Sequence, residues 1–220
     1  MTSRTNARVA GVTFLLYIVL GLTSLAIGRG ATTGGTGAAK LASMAQHAAA
    51  LRVDILLAVV LCFVALALAV ALYGITRHVD HELSVFAMCC RVGEAFVGIA
   101  PLPVTVILLT MATAEHDPTA HTFVPALLRL RAVNPTLTAV FFSVGSTIFT
   151  WLLLRGRLVP GWLARLGVIA SLLLVLVLPA QLAGYIEGAT WQVVWLPMLV
   201  FEVTLAFWLL VHGVAMPDAC

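Results

Sequence analysis

Long apolar runs separated by short polar stretches fill this sequence. Six of them come close to or exceed the ~20 residues that an α-helix needs to cross the hydrocarbon core of a bilayer. They cover approximately residues 9–28, 53–76, 83–112, 135–154, 161–183 and 191–212. The pattern predicts an all-α fold, an integral membrane bundle of six transmembrane helices that forms a single domain over residues 1–220. Only helices or closed barrels satisfy every backbone group in lipid, and these runs are about twice the length of a barrel strand. The first run follows Arg4 and Arg8, as a secretory signal would, but it exceeds the ~7–15 apolar residues of a signal core and further spans follow it, so it reads as a retained helix.

The polar stretches are unequal. Arg77-His78-Val79-Asp80-His81-Glu82 is short, which makes the second and third spans an antiparallel hairpin. Two others are long. Arg29 to Gly37 is rich in Gly and Thr and should be irregular; Ala38 to Leu51 is dense in helix formers and carries Lys40, Gln46 and His47, so it is either an interfacial helix or an extension of the second span. Ala114 to Thr122 is polar, and Phe123 to Val133 is amphipathic, with Arg129 and Arg131. The expected bundle therefore has two long amphipathic or irregular connections on one side. Pro101-Leu102-Pro103 should kink or break the third span, freeing carbonyls that need new partners at that depth. Asn134-Pro135 opens the fourth span, Pro160 begins the fifth, and Pro179, followed by Gln181, interrupts it near its far end. Along the second span Asp54, Ala58, Ala65 and Ala69 share a face whose small residues allow close helix approach. Trp191 and Trp195 read as interface anchors at the start of the sixth span.

Composition narrows the class further. Hydrophobic residues make up 62% and charged residues 10%, against a soluble average of about 25% charged, so activity must lie in the bundle or its loops. The net charge of +3 from 12 basic and 9 acidic residues is too scattered for a nucleic-acid partner, and the lipid bilayer, with its anionic headgroups, is the expected one. Of the four cysteines, Cys62, Cys89 and Cys90 lie in apolar runs and Cys220 ends the sequence, with neither disulfide nor zinc spacing. With the N terminus inside, Arg4, Arg8, Arg77, Arg155, Arg157 and Arg165 are cytoplasmic, against Arg29, Lys40, Arg52, Arg129 and Arg131 in or beside the long connections, where the positive-inside rule is less strict. The expected location is the cell membrane, multi-pass, with both termini cytoplasmic.

Candidate chemistry gathers where charge meets hydrocarbon. Arg91 and Glu94 interrupt the third span and Glu202 the middle of the sixth. Each ionised group at that depth costs roughly 2.5 to 3.5 kcal/mol on insertion scales, so each needs a partner. At 1.5 Å per residue the three fall near one depth, with Asp54 about 15 Å nearer the outer surface. Ala87, Arg91, Glu94, Ala95 and Gly98 share a face, and Arg91 is expected to serve both carboxylates as an intramembrane polar cluster. Two carboxylates and one guanidinium leave one negative charge over, which a bound proton would neutralise. Asp54 and Gln181 are polar residues expected at the outer end. Ser143, Ser146, Thr147 and Thr150, in line with Thr136, form a hydroxyl stripe that lines a cavity or bonds back to its own helix.

Catalytic signatures are absent. The chain has neither His-Glu-x-x-His nor Gly-x-Ser-x-Gly. The loop groups His78, Asp80, His81, Glu82 and Glu115, His116, Asp117, His121 have the composition of solvated turns, and His212 that of an interface residue. No metal, cofactor or catalytic residue is assigned.

Arg8-x-x-Gly11 leading to Tyr17, Asp54, Arg91-x-x-Glu94, Phe141-Phe142-x-x-Gly145, Arg157-x-x-Pro160 and Pro197-x4-Glu202-x5-Trp208 together resemble the bacterial membrane family catalogued as DUF4386, a domain of unknown function. The resemblance spans nearly the whole chain. It implies a helical inner-membrane protein of about this size and singles out Asp54, Arg91, Glu94 and Glu202 as the family's polar positions, but it supplies no activity. Three functions are compatible with these residues. The first is a carrier or binding protein for a small solute, a proton or a lipid-type molecule, built on Arg91, Glu94 and Glu202. The second is a structural or regulatory protein in which the cluster only clamps helices. The third is an intramembrane lipid-modifying enzyme.

Overall fold

In lipid the backbone has no solvent to bond to, so each apolar run closes its hydrogen bonds internally. The computed structural model describes residues 3–113, 122–186 and 193–215, and among them no strand occurs. The helices are α1 (Ser3–Ala31), α2 (Gly37–Gln46), α3 (Ala48–Thr76), α4 (His81–Ile99), α5 (Leu102–Thr113), α6 (Val124–Arg155), α7 (Gly161–Leu182) and α8 (Leu196–Val211). Six stretches are long and apolar enough to cross a membrane, with α4 and α5 together forming one of them. The protein is therefore a multi-pass membrane protein.

Several helix ends follow from local chemistry. Thr36 caps α2 by accepting from the Ala39 backbone N–H at 3.2 Å. His47 then separates α2 from α3 and contacts the Ser43 carbonyl through Nδ1. Ala38 to Leu51 is thus a separate short helix followed by an early start to the second span. Asp80 caps α4 through the Leu83 N–H at 3.1 Å, and its other oxygen meets Arg155 at 3.0 Å. Ser84 donates to Thr76 at 3.0 Å, fastening the α3–α4 hairpin from within.

Pro101 ends α4. Lacking an N–H, it cannot bond the carbonyl of Val97, four residues earlier. That carbonyl accepts instead from the Ala100 N–H at 3.2 Å and from Asn134 of α6, whose Nδ2 lies 3.0 Å away. Asn134 therefore lies inside α6, ten residues past its start, and the helix continues through Pro135. The amphipathic stretch before it is continuous with the fourth span because Val124 is buried in an apolar cluster with Leu41, Met44, Leu51, Leu108 and Leu109. That cluster gathers α2, α5 and the adjoining ends of α3 and α6, so the two long connections meet on one face of the bundle. At ~1.5 Å per residue the 32 residues of α6 extend about 48 Å, well beyond the hydrocarbon core.

The spanning helices form a closed ring in the order α1, α3, α4, α6, α7, α8 and back to α1, each packed on two neighbours. Gly11 sets the α1–α8 contact, since a Cβ there would stand 2.8 Å from the Ala206 carbonyl. Phe63, Ile169 and Leu176 stay exposed around the outside, as lipid-facing side chains should. Inside, the main core contains Phe14, Leu72, Phe142, Phe149, Phe201 and Leu205. The charged cluster sits among them.

Candidate functional site

Arg91 and Glu94 are each only 1% exposed, and Nη1 lies 2.8 Å from Oε2. They are three residues apart on α4, so this ion pair joins no two helices. The ties between helices come from its surroundings. Tyr17 of α1 donates its hydroxyl to Glu94 Oε1 at 2.5 Å. The Arg91 guanidinium lies over the Phe142 ring of α6 at 4.8 Å and over the Tyr17 ring at 5.6 Å, positions in which the ring quadrupoles stabilise a desolvated cation. Gly145 of α6 makes room for it: a Cβ there would stand 3.1 Å from the Ala87 carbonyl and 3.2 Å from Arg91 Cδ. The Arg91–Glu94 contact is ionic without a well-directed hydrogen bond, and the guanidinium nitrogens and Glu94 Oε2 have no hydrogen-bond partner among the described residues.

Glu202 differs. It is 7% exposed on α8, its Oε1 has no hydrogen-bond partner, and no ion pair joins it to Arg91 among the described residues. The expected sharing of Arg91 between two carboxylates thus becomes one direct pair and one near neighbour. The reason is local: side chains three apart on one helix are already adjacent, so Glu94 reaches the guanidinium without closing an interhelical gap. Arg91 and Glu202 instead line a common void of about 10 Å³ with Ser146, Phe149, Thr150 and Phe201. That is roughly the space of one water molecule.

On its other side Glu202 lines a groove of about 390 Å³ between α1, α6, α7 and α8. Leu22, Leu25, Ala139, Leu178 and Leu199 make most of this groove apolar, while Arg29, Thr136, Gln181 and Trp195 add polar atoms. Gln181 Oε1 is buried without a hydrogen-bond partner. Trp195 turns into the bundle, its ring centroid 5.9 Å from that of Phe142.

Asp54 belongs to another level. It accepts from Ser24 of α1 at 2.5 Å and lies in the field of Arg131, which crosses from α6 to the vicinity of Gly28. Ser24 is seven residues beyond Tyr17 on the same helix, so Asp54 and Glu94 are tied to α1 at depths about 10 Å apart. Within the hydroxyl stripe, Ser143 bonds the Val140 carbonyl, Thr147 that of Ser143 and Thr150 that of Thr147. Of the four only Ser146 and Thr150 line the void, and Thr136, further up α6, lines the groove.

Among the loop residues, Asp80 is occupied by its cap and by Arg155, and His81 packs edge-on to Tyr73. His212 stacks on Trp208 at 4.1 Å. Cys62, Cys89 and Cys90 are free thiols. No group of three or more His, Cys, Asp or Glu able to hold a metal occurs among the described residues. Glu115, His116, Asp117, His121, Trp191 and Cys220 lie outside them.

A family model described as a domain of unknown function, DUF4386, matches residues 9–213. The chain belongs to the DUF4386 family. No curated protein and no solved structure matches it. Six of the DUF4386 positions that carried the resemblance in sequence are brought together in space: Tyr17 on Glu94, Phe142 and Gly145 on Arg91, and Glu202 across the void from Arg91. Arg157-x-x-Pro160 has a different place, shaping the α6–α7 turn through a left-handed Arg157, φ 50°, and Pro160 at the start of α7. Tyr17 and Phe142 were legible as motif residues but not as partners of the charges. One signal was available for α1: Tyr17 and Ser24 are two helical turns apart, as the Glu94 and Asp54 levels require.

Proposed function

We propose that this DUF4386 protein is a membrane binding or carrier protein for a small amphiphilic molecule taken from the bilayer, held in the groove between α1, α6, α7 and α8. Glu202 carries this reading, because its side chain lines both the groove and the void shared with Arg91. A ligand in the groove is thereby placed against the carboxylate of the cluster that has no ion-pair partner among the described residues. The volume of about 390 Å³ is within the range of about 300–1,000 Å³ usual for small-molecule pockets. The apolar lining with a few polar atoms suits a molecule that has both characters.

The test is recovery of bound small molecules by mass spectrometry from protein purified into lipid nanodiscs. Leu25 is a half-exposed groove residue, and Leu25→Trp is expected to lower occupancy at unchanged folded yield. Equal occupancy in both proteins would remove the groove from consideration.

The packing-clamp reading has its own support in the Tyr17–Glu94 bond between α1 and α4. The two readings apply to different residues. Arg91, Glu94 and Tyr17 form the clamp, and Glu202 faces the ligand.

A further inference from the structure

The charge balance of the site indicates what kind of molecule the groove accepts. Arg91 is matched by Glu94 at 2.8 Å, which leaves Glu202 as a surplus carboxyl group in a low-dielectric setting. Such a group is neutralised by a proton or by a cation. It cannot draw a hydrated metal ion into this groove cheaply, because the lining supplies few oxygen ligands: apart from Glu202 itself, only Thr136 and Gln181 of the lining residues carry a side-chain oxygen. A cation that carries its own apolar cover meets both requirements.

We propose that the occupant is a lipophilic monocation, an alkylammonium or quaternary ammonium amphiphile, whose charged head lies against Glu202 and whose tail lies along Leu22, Leu25 and Leu199, and that it exchanges with a proton on that carboxyl group. This rests on the groove being the ligand site. The exchange is balanced: the protonated Glu202 carboxyl and the free cation give the carboxylate–cation pair and one released proton. Binding and release then leave the net charge of the buried site unchanged, so neither state exposes an uncompensated charge to hydrocarbon.

The groups facing Glu202 fit this exchange. From α4 come Arg91 and Glu94, of opposite charge, with Arg91 the stronger influence on Glu202, and from α1 comes the Tyr17 hydroxyl, already donated to Glu94. The residues of α6 and α7 that line the void and the groove are uncharged. Arg29, on the last turn of α1, is exposed at the groove's mouth, where solvent and salt screen it. Its charge disfavours a cation only at the entrance and opposes an anion nowhere. The deep end therefore selects for positive charge and the mouth does not block it.

A matched series of decyltrimethylammonium, decanol and decanoate, titrated against the full chain in nanodiscs with empty nanodiscs as background, separates the outcomes. The ammonium is expected to bind at least about tenfold more tightly than the alcohol, with close to one proton released per molecule in weakly buffered medium. Glu202→Gln is expected to abolish both the preference and the proton release, and Glu202→Asp to retain them in part. Proton release on the wild-type protein tests the exchange even if Glu202→Gln fails to fold. Equal binding of the alcohol and the ammonium without proton release would overturn the cation assignment and leave the groove intact as a site. Preferential binding of decanoate, lost in Arg29→Gln, would overturn it in favour of an anionic ligand. No binding above empty nanodiscs by any of the three would overturn both the assignment and the groove reading.

Discussion

Glu94 and Glu202 are both buried carboxylates at the centre of one helical bundle, yet their surroundings are opposite. Glu94 has a cation at 2.8 Å and a tyrosine hydroxyl on its other oxygen, and the glycine and aromatic rings around Arg91 close the space. Glu202 has no ion pair among the described residues and lines both a void and a groove. The difference teaches that depth and residue type alone do not define a functional charge. A carboxylate held between a cation and a hydroxyl donor ties helices together, whereas one that lines a groove is the one the proposed ligand can approach.

Substitutions can break this comparison, and the largest effect should come from Arg91→Leu. It leaves Glu94 charged without its cation, which typically costs about 3–5 kcal/mol, so folded yield and melting temperature in detergent should fall sharply. Gly145→Val should come next. A side chain there has to push back the Ala87 carbonyl and Arg91, which a Cβ would approach to 3.1 and 3.2 Å, and overpacking of this kind costs about 1–3 kcal/mol, read as an earlier thermal transition. Tyr17→Phe keeps the ring under the guanidinium and removes only the hydroxyl, for an expected loss of about 1–2 kcal/mol by the same measurement. The smallest stability effect belongs to Glu202→Gln, about 1 kcal/mol or less, since no hydrogen bond or ion pair of Glu202 among the described residues is lost; its consequence should appear in ligand occupancy. A large loss of folded yield from Glu202→Gln combined with a neutral Tyr17→Phe would reverse the assignment of the two carboxylates.

Much of this architecture is legible in the sequence, because the bilayer imposes a length and a composition on each span that the chain cannot conceal. The hairpin at Arg77 to Glu82, the break at Pro101 and the meeting of the two long connections all follow from local pattern. Helix α6 is the instructive exception. Asn134-Pro135 reads as a start, but Asn134 donates across to the Val97 carbonyl, which Pro101 cannot bond, and Val124 is buried by residues from α2 and α5. Both are contacts between segments distant in sequence. The hydroxyl stripe likewise reads as one surface, although three of its four members bond their own helix.

By itself, the sequence determined the number of spans and which residues would be charged in hydrocarbon, because hydropathy and ionisation are properties of single residues and short windows. It also determined that Arg91 could meet Glu94, since three residues on a helix suffice. Which carboxylate would remain open was decided only by the tertiary structure. That depends on how α1, α6, α7 and α8 come together around Glu202, since the groove is lined by residues of all four, such as Leu25, Thr136 and Gln181, that are distant in sequence.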